Sequence, residues 1–155
     1  MKYPDTELSY ERIDSIKKFK EISEWLMKAF KNMEKKSHDF ESAQAKFQGT
    51  VLSVHNPNFY FFIFYNENGS IGGFSVSKIV ISNLNKIMVT DDVYCPNFKS
   101  SGQIMEFIYN IAMDERCDKV VLTVSRSPEA FKKLIEKKTF LKNTDTYHFM
   151  VLEEK

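Results

Sequence analysis

The stretch of sequence that decides the fold is "VYCPNFKSSGQIMEFIYNIAMDERCDKVVLTV", residues 93–124. An apolar segment ends at Pro96, the short turn "KSSG" follows at residues 99–102, and an amphipathic pattern then leads to the apolar run "KVVLTV" at residues 119–124. The spacing predicts a helix over residues 101–117, and the apolar run is typical of a strand buried on both faces. The stretch therefore predicts a strand, a helix and a second, parallel strand.

Two helices are predicted near the start of the chain. Apolar residues recur at helical spacing over residues 13–33, with Asp14 or Ser15 as the start signal. A second, looser helical pattern covers residues 37–54. A short strand is predicted before both helices, at residues 8–12.

The middle of the chain predicts an antiparallel meander. The segments "FYFFIFY" at residues 59–65 and "GGFSVSKIVIS" at residues 72–82 are rich in aromatic and β-branched residues, as strands are. Asn68 and Gly69 between them are a hairpin turn signal. A third strand is predicted at residues 86–94, immediately before the central turn.

The end of the chain predicts one more helix and one more strand. Ser127 is a suitable N-cap and Pro128 a suitable first residue for a helix over residues 127–138. A closing strand is predicted at residues 146–153. We therefore expect residues 1–155 to form a single α+β domain, with a mixed sheet of about six to seven strands flanked by about four helices.

Composition limits the possible functions. The chain has 155 residues, 43% of them hydrophobic, and its 22 basic and 21 acidic residues give a net charge of +1. Such a balance provides no broad field to attract nucleic acid or anionic lipid. Cys95 and Cys117 do not resemble a disulfide framework or a metal site, and no segment approaches the roughly 20 apolar residues of a membrane-spanning helix. We expect a cytoplasmic protein without metal, membrane or nucleic-acid partners.

The turn before the central helix has the features of an anion site. The first backbone N–H groups of a helix have no intrahelical partner and lie at the positive end of the helix dipole, so a phosphate can accept hydrogen bonds from them. The candidate groups are the side chain of Lys99 and the N–H groups of Ser100, Ser101, Gly102, Gln103 and Ile104. The alternative is that Ser100 or Ser101 only caps the helix and that Lys99 is solvated.

Together with the order of elements, this turn resembles the GNAT superfamily of N-acetyltransferases. The family pattern V-x-P-x-(Tyr/Phe)-(Arg/Gln)-x-x-Gly-x-(Gly/Ala) is similar to "YCPNFKSSGQI" at residues 94–104. The matching positions are Pro96, Phe98 and Gly102. The substituted positions are Tyr94, Lys99 and Ile104. Ile104 stands where the family has a small residue, which is expected to narrow the pyrophosphate loop.

The resemblance implies an enzyme that transfers an acetyl group from acetyl-CoA to a primary amine by direct attack in a ternary complex. It implies that Tyr94 and the loop from Lys99 to Ile104 bind the cofactor. One face of the meander borders the acceptor groove in this family, which makes Tyr60 and Tyr65 candidates for acceptor contact. The acceptor, a small molecule or a protein, is open, and so is the oligomeric state, for which a homodimer is one option.

A second family pattern, L-x-V-x-x-x-Asn-x-x-Ala-x-x-Leu-Tyr-x-x-x-Gly-Phe, runs in register over residues 122–140. The matching positions are Leu122, Val124, Leu134 and Phe140. The substituted positions are Pro128, Phe131, Ile135 and Thr139. The tyrosine that often reprotonates the leaving thiolate in this family falls on Ile135, which cannot donate a proton. Water or another tyrosine must then act at this step, or the step is unassisted.

The resemblance also implies a general base on the strand before the turn, facing the acceptor. If no bulge interrupts this strand, its period of two puts Asp92 on the same face as Tyr94 and Asp91 on the opposite one. The same alternation adds Thr90 and Met88 to the face of Asp92. Asp92 is therefore the candidate catalytic base. The alternative is an ordinary carboxylate near a strand end, either solvated or paired with a lysine.

Two other functions are open. A GNAT-like fold that has lost acetyl transfer could act as a CoA-binding or partner-binding module. The substitutions that motivate this hypothesis are Ile104, Pro128, Ile135 and Thr139. A phosphate- or nucleotide-binding α/β protein is less favoured, because the sequence contains neither G-x-x-x-x-G-K-[ST] nor G-x-G-x-x-G.

Overall fold

A computed structural model describes the protein over residues 9–36, 42–96, 98–124 and 147–151, with side chains for residues 9–35, 42–96 and 103–121. The elements in chain order are β1 (Ser9–Arg12), α1 (Ile16–Lys36), α2 (Ala43–Ser53), β2 (Phe59–Tyr65), β3 (Ile71–Ser82), β4 (Asn85–Tyr94), α3 (Phe98–Asp114), β5 (Lys119–Val124) and β6 (Tyr147–Val151). This order agrees with the sequence prediction. The helix predicted at residues 127–138 lies outside the described residues.

The strands form one mixed sheet in the order β1-β2-β3-β4-β5-β6. Strands β1 to β4 are antiparallel neighbours, whereas β5 runs parallel to β4, and β6 runs parallel to β5. Helix α3 supplies the crossover that a parallel pair requires. The predicted α+β class, the mixed sheet and the strand–helix–strand unit are confirmed.

Helices cover both faces of the sheet. On one side, the α1/α2 face, these two helices pack against the odd-numbered residues of β2, such as Phe61. On the other side, the α3 face, that helix packs against the even-numbered residues, such as Phe62. Both sets are buried, except Tyr65 at the end of β2, which is partly buried. Burial on both faces explains why "FYFFIFY" lacks the polar alternation of a half-exposed strand.

Side-chain caps determine where the first two helices begin. The hydroxyl of Ser15 accepts a hydrogen bond of 3.2 Å from the backbone N–H three residues later, which confirms Ser15 as the start signal of α1. The hydroxyl of Ser42 accepts a hydrogen bond of 3.1 Å from the N–H of Ala45. Because Ser42 satisfies a free N–H group, α2 begins at Ala43, later than the predicted start at residue 37.

The C-terminal end of α3 is tied to the beginning of β4. Arg116 follows the helix in the left-handed conformation, with φ 57°, which is typical of a helix end. The ammonium of Lys86, in β4, donates a hydrogen bond of 2.6 Å to the carbonyl of Glu115, one of the carbonyls that the helix leaves unpaired. Since α3 ends at the beginning of β4, the start of α3 lies at the opposite end of that strand, beyond Tyr94.

The turn between β3 and β4 predicts a stabilising substitution. Asn83 and Leu84 both lie in the left-handed region, with φ 50° and 67°, where a leucine is strained. Leu84 is 97% exposed, so its removal loses no core packing. We expect Leu84→Gly to raise the free energy of unfolding by about 0.5–1 kcal/mol in urea denaturation. Asn83→Gly is the control, because asparagine already tolerates this conformation, and an equal gain in both variants would contradict the prediction.

Candidate functional site

The parallel pairing of β4 with β5 ends before either strand does. Paired residues run from Ile87 with Lys119 to Thr90 with Leu122, whereas β4 continues to Tyr94. Residues 91–94 of β4 therefore form an edge without a partner in β5, within the part of the chain that the structure describes. We call this segment the open edge of β4. The N–H and C=O groups of a strand edge can bind an extended ligand.

A β-bulge lies at the start of the open edge. Two consecutive residues of β3 pair with Asp92 and Thr90, which leaves Asp91 between them without a partner. An inserted residue reverses the alternation of faces along a strand. Asp92 and Tyr94 therefore share the α1/α2 face, as predicted, but Thr90 and Met88 lie on the α3 face. The prediction of one common face for these residues was wrong because it assumed an unbroken strand.

The side chain of Asp92 forms an ion pair with Lys46 of α2. Lys46 Nζ donates a hydrogen bond of 2.5 Å to Asp92 Oδ1, and the side chains of Lys46 and Asp92 are only 8% and 13% exposed. The ammonium favours the ionised carboxylate, and the short hydrogen bond orients it. Pairing with a lysine, one of the two interpretations that the sequence left open, is thus observed. The role of Asp92 as a base stays a prediction.

Lys46 is a candidate residue that the sequence analysis did not single out. It lies on the buried side of α2 together with Ala43 and Thr50. The spacing of three and four residues was a usable signal, because it places Lys46 on the same helix face as Ala43 and Thr50. No local signal identifies its partner, however, since Asp92 lies 46 residues further along the chain.

Aromatic rings hold the end of β4 on the α1/α2 face. The ring of Tyr94 stacks on Phe74 with centroids 5.8 Å apart, and Trp25 of α1 meets Tyr94 edge to face at 6.1 Å. The side chain of Tyr94 is therefore engaged in packing, while its main chain belongs to the open edge.

The two tyrosines considered for acceptor contact lie on opposite faces of the sheet. Tyr60 is buried on the α3 face, and its ring lies 4.3 Å from the guanidinium carbon of Arg12. Tyr65 is on the α1/α2 face, where its hydroxyl donates to Glu11 Oε2 at 3.3 Å. Partial burial and the charge of Glu11 raise the pKa of Tyr65, so its phenol stays protonated at neutral pH. Tyr65 is the one that shares a face with Asp92.

Helix α3 begins at Phe98, three residues before the predicted start at Ser101. In a helix that starts there, the N–H groups without an intrahelical partner belong to the first turn, residues 98–100. The later N–H groups of Ser101, Gly102, Gln103 and Ile104 lie four residues beyond carbonyls of the preceding turn and can pair with them. For residues 98–102, which include Lys99, the structure describes only the main chain.

The side chain of Ile104 lies in the core. It is 0% exposed and belongs to the cluster on the α3 face that includes Met88 and Phe107. Its bulk therefore fills space between α3 and the sheet, not the space in front of the helix start. A large residue at this position is explained by packing.

Gly73 is required by the close approach of β3 to the end of β4. A Cβ atom at Gly73 would lie 2.5 Å from the main-chain oxygen of Tyr94. A side chain at this position would push the open edge away from β3, because neither backbone can yield without breaking the pairing. The sequence around Gly73 indicates only a strand, since this contact exists only in the folded sheet.

Metal binding and thiol chemistry find no support in the residues that the structure describes. Within the described ranges, no group of three or more His, Cys, Asp or Glu side chains could hold a metal ion. None of the three described helices is long and apolar enough to cross a membrane. Cys95 packs against the core of the α3 face. Burial raises the pKa of the Cys117 thiol, although Lys86 opposes the effect, and this disfavours a thiolate nucleophile.

No family model matches this sequence, and neither does any curated protein. Solved structures, in contrast, match the fold over nearly its whole length. A protein from Clostridium acetobutylicum, described as a predicted acetyltransferase and solved with acetyl-CoA, is 15% identical, with a TM-score of 0.63 over 96% of each chain. The chain has the GNAT fold.

Two aminoglycoside acetyltransferases share this GNAT fold. The aminoglycoside antibiotic 6′-N-acetyltransferase of Acinetobacter baumannii is 10% identical, with a TM-score of 0.60 over 96% of this chain and 98% of that one. An aminoglycoside acetyltransferase from an uncultured soil metagenomic sample, in complex with trehalose, is 12% identical, with a TM-score of 0.60 over 95% of this chain and 97% of that one. At such identities the likeness shows the fold, and a fold does not determine the substrate.

Proposed function

We propose that this protein is an acetyl-CoA-dependent N-acetyltransferase that transfers the acetyl group to a primary amine by direct attack in a ternary complex. The observation that carries the proposal is the open edge of β4 in a GNAT fold, with α3 beginning four residues beyond it. An acetyl donor bound between β4 and β5 would lie beside the hydrogen-bonding groups of the open edge of β4 at one end and beside the start of α3 at the other. The names of the proteins that share the fold support acetyl transfer as the reaction.

The proposed cofactor site joins the open edge to the start of α3. The N–H groups of the first helical turn, which have no intrahelical partner, and the ammonium of Lys99 have the donor chemistry that a pyrophosphate needs. The proposed acetyl-CoA-binding residues are Tyr94, Lys99, Ser100, Ser101, Gly102, Gln103 and Ile104. In a helix that begins at Phe98, the main-chain N–H groups of Lys99 and Ser100 have no intrahelical partner, whereas those of Ser101, Gly102, Gln103 and Ile104 would become available only if the first turn opened.

Asp92 is the proposed general base. It belongs to the open edge and its side chain faces the α1/α2 face, so an acceptor bound there would approach a donor inserted between β4 and β5. After Asp92 takes a proton from the acceptor, the amine nitrogen attacks the thioester carbon and the C–S bond breaks. The nitrogen's excess proton then passes through water to the thiolate, since Ile135 occupies the position of the family's tyrosine. For this transfer, the hydrogen bond from the ammonium of Lys46 to Asp92 must break, and the acceptor amine must take its place beside the carboxylate.

Calorimetric titration of acetyl-CoA tests the cofactor half of the proposal. We expect saturable binding, weakened roughly 10- to 100-fold by Lys99→Glu, because a charge-assisted hydrogen bond contributes about 1.5–3 kcal/mol. Lys28→Glu changes the net charge equally at an exposed site of α1 and should bind as the unaltered protein does. Absence of binding at millimolar acetyl-CoA, or an equal loss in both variants, would contradict the proposal.

The ion pair of Asp92 favours a second candidate function, a GNAT fold that binds CoA or a protein partner without acetyl transfer. While the ammonium of Lys46 holds this carboxylate, it accepts a proton from an outside amine poorly, and Ile135 removes the usual acid. The two functions differ in turnover. Release of free thiol from acetyl-CoA with any member of a panel of aminoglycosides, polyamines and peptides would exclude the second function, whereas cofactor binding without turnover would favour it.

A further inference from the structure

We propose that Lys46 is itself an acetyl acceptor, modified in cis by acetyl-CoA bound at the open edge of β4. This inference rests on the proposed function, because it needs an acetyl donor at that site. The observation that carries it is the position of Lys46 Nζ, 2.5 Å from the carboxylate of Asp92. A primary amine of the chain thus occupies the place that the mechanism assigns to the amine of the substrate.

The geometry brings Lys46 close to the expected position of the thioester. Asp92 is one of the four residues of the open edge, so the ion pair holds Nζ within about one side-chain length of that edge. Helix α2 places the main chain of Lys46 on the α1/α2 face, opposite the face that α3 covers. A lysine has a flexible four-carbon stem, so rotation of the side chain moves Nζ towards the edge while α2 stays in place.

The buried ion pair also supplies the proton acceptor that the reaction needs. Exposure of 8% for Lys46 and 13% for Asp92 means that both charges have lost most of their hydration, which lowers the cost of neutralising the pair. A proton moves from Nζ to Oδ1 along the existing hydrogen bond. The nitrogen then attacks the thioester carbon, a C–N bond forms and the C–S bond breaks. The nitrogen's second proton passes to the departing thiolate, and Asp92 releases its proton to solvent.

The neighbouring ion pair between Lys78 and Asp91 provides a matched comparison within the chain. Lys78 Nζ lies 3.6 Å from Asp91 Oδ2, and these side chains are 50% and 42% exposed. Acetylation by dissolved acetyl-CoA would follow exposure and favour Lys78. Acetylation by acetyl-CoA bound at the open edge would instead favour the buried Lys46, because its ammonium is hydrogen-bonded to Asp92, the proposed base, whereas Lys78 lies 3.6 Å from Asp91 and both of those side chains are exposed.

Peptide mapping by mass spectrometry after incubation of the full chain with acetyl-CoA tests the inference. We expect one acetyl group on Lys46, acquired at a rate independent of protein concentration, and roughly tenfold or more above the label on Lys78. Lys46→Arg keeps a cation beside Asp92 and should abolish this label. Asp92→Asn removes the proton acceptor and should slow labelling by about 10²-fold or more.

The results that overturn the inference are distinct from those that overturn the proposed function. Calorimetric binding of acetyl-CoA without label on Lys46, or label that follows exposure and is greater on Lys78, overturns the inference alone. Absence of acetyl-CoA binding overturns both. The map of labelled lysines in the unaltered protein decides between these results even where a variant fails to fold.

Discussion

Lys46→Met is expected to lower the free energy of unfolding by about 3–5 kcal/mol. Methionine removes the ammonium that lies 2.5 Å from Asp92 and leaves that carboxylate, which is 13% exposed, without this counter-charge. In a domain of this size the loss corresponds to a fall of roughly 10 °C in the midpoint of thermal unfolding. Urea and thermal denaturation followed by circular dichroism would measure both quantities.

Two further variants show whether burial causes the loss at Lys46. Lys78→Met breaks the exposed pair with Asp91 and should cost only about 0–1 kcal/mol. The double variant Lys46→Met/Asp92→Leu removes both buried charges and should recover most of the stability, because apolar side chains can replace a buried ion pair without a net loss. Equal losses in Lys46→Met and Lys78→Met would contradict the burial of the first pair.

Asp92→Asn is expected to lower kcat for acetyl transfer by about 10²–10⁴-fold while leaving the affinity for acetyl-CoA unchanged. The amide has the shape of the carboxylate and its oxygen can still accept a hydrogen bond from Lys46, but it does not accept a proton from an amine. The rate would be measured as thiol released at saturating acetyl-CoA with the best amine of the panel. Cofactor affinity would be measured by calorimetry.

Asp91→Asn is the matched control for this effect. Asp91 is adjacent in sequence and lies in the same bulge, but its side chain pairs with the exposed Lys78. The same chemical change at Asp91 should leave most of the activity in place. Equal losses in the two variants would show that the bulge is sensitive to charge as a whole and would contradict a specific role for Asp92 as the base.

The elements of the fold could be predicted because their signals are local. The unbroken aromatic run of β2 indicates a strand buried on both faces, and the predicted hairpin turn is present, with Gly69 at φ 84°. Ser15 caps α1 as expected. Each of these signals involves neighbouring residues, so it can be recognised before the fold is known.

The boundaries of two helices could not be predicted as well, because several positions compete to start a helix. In α2, the helical pattern extends back to residue 37, yet Ser42 supplies the cap. In α3, the serines of "KSSG" suggested a start at Ser101, whereas the helix begins at Phe98. The helical spacing of apolar residues continues past each possible first residue, so it does not show where the helix begins. The first residue depends on how the helix packs against the sheet.

By itself, the sequence determined the order of strands and helices, the crossover through α3 and the position of a helix start beyond β4, because spacing and turn chemistry depend on adjacent residues. Only the tertiary structure decided which residues share a face with Asp92. The bulge at Asp91 depends on how β4 pairs with β3, and it reverses the alternation that the sequence implies. The partner of Asp92 was likewise decided by packing, which brings Lys46 of α2 against a strand 46 residues away in the chain.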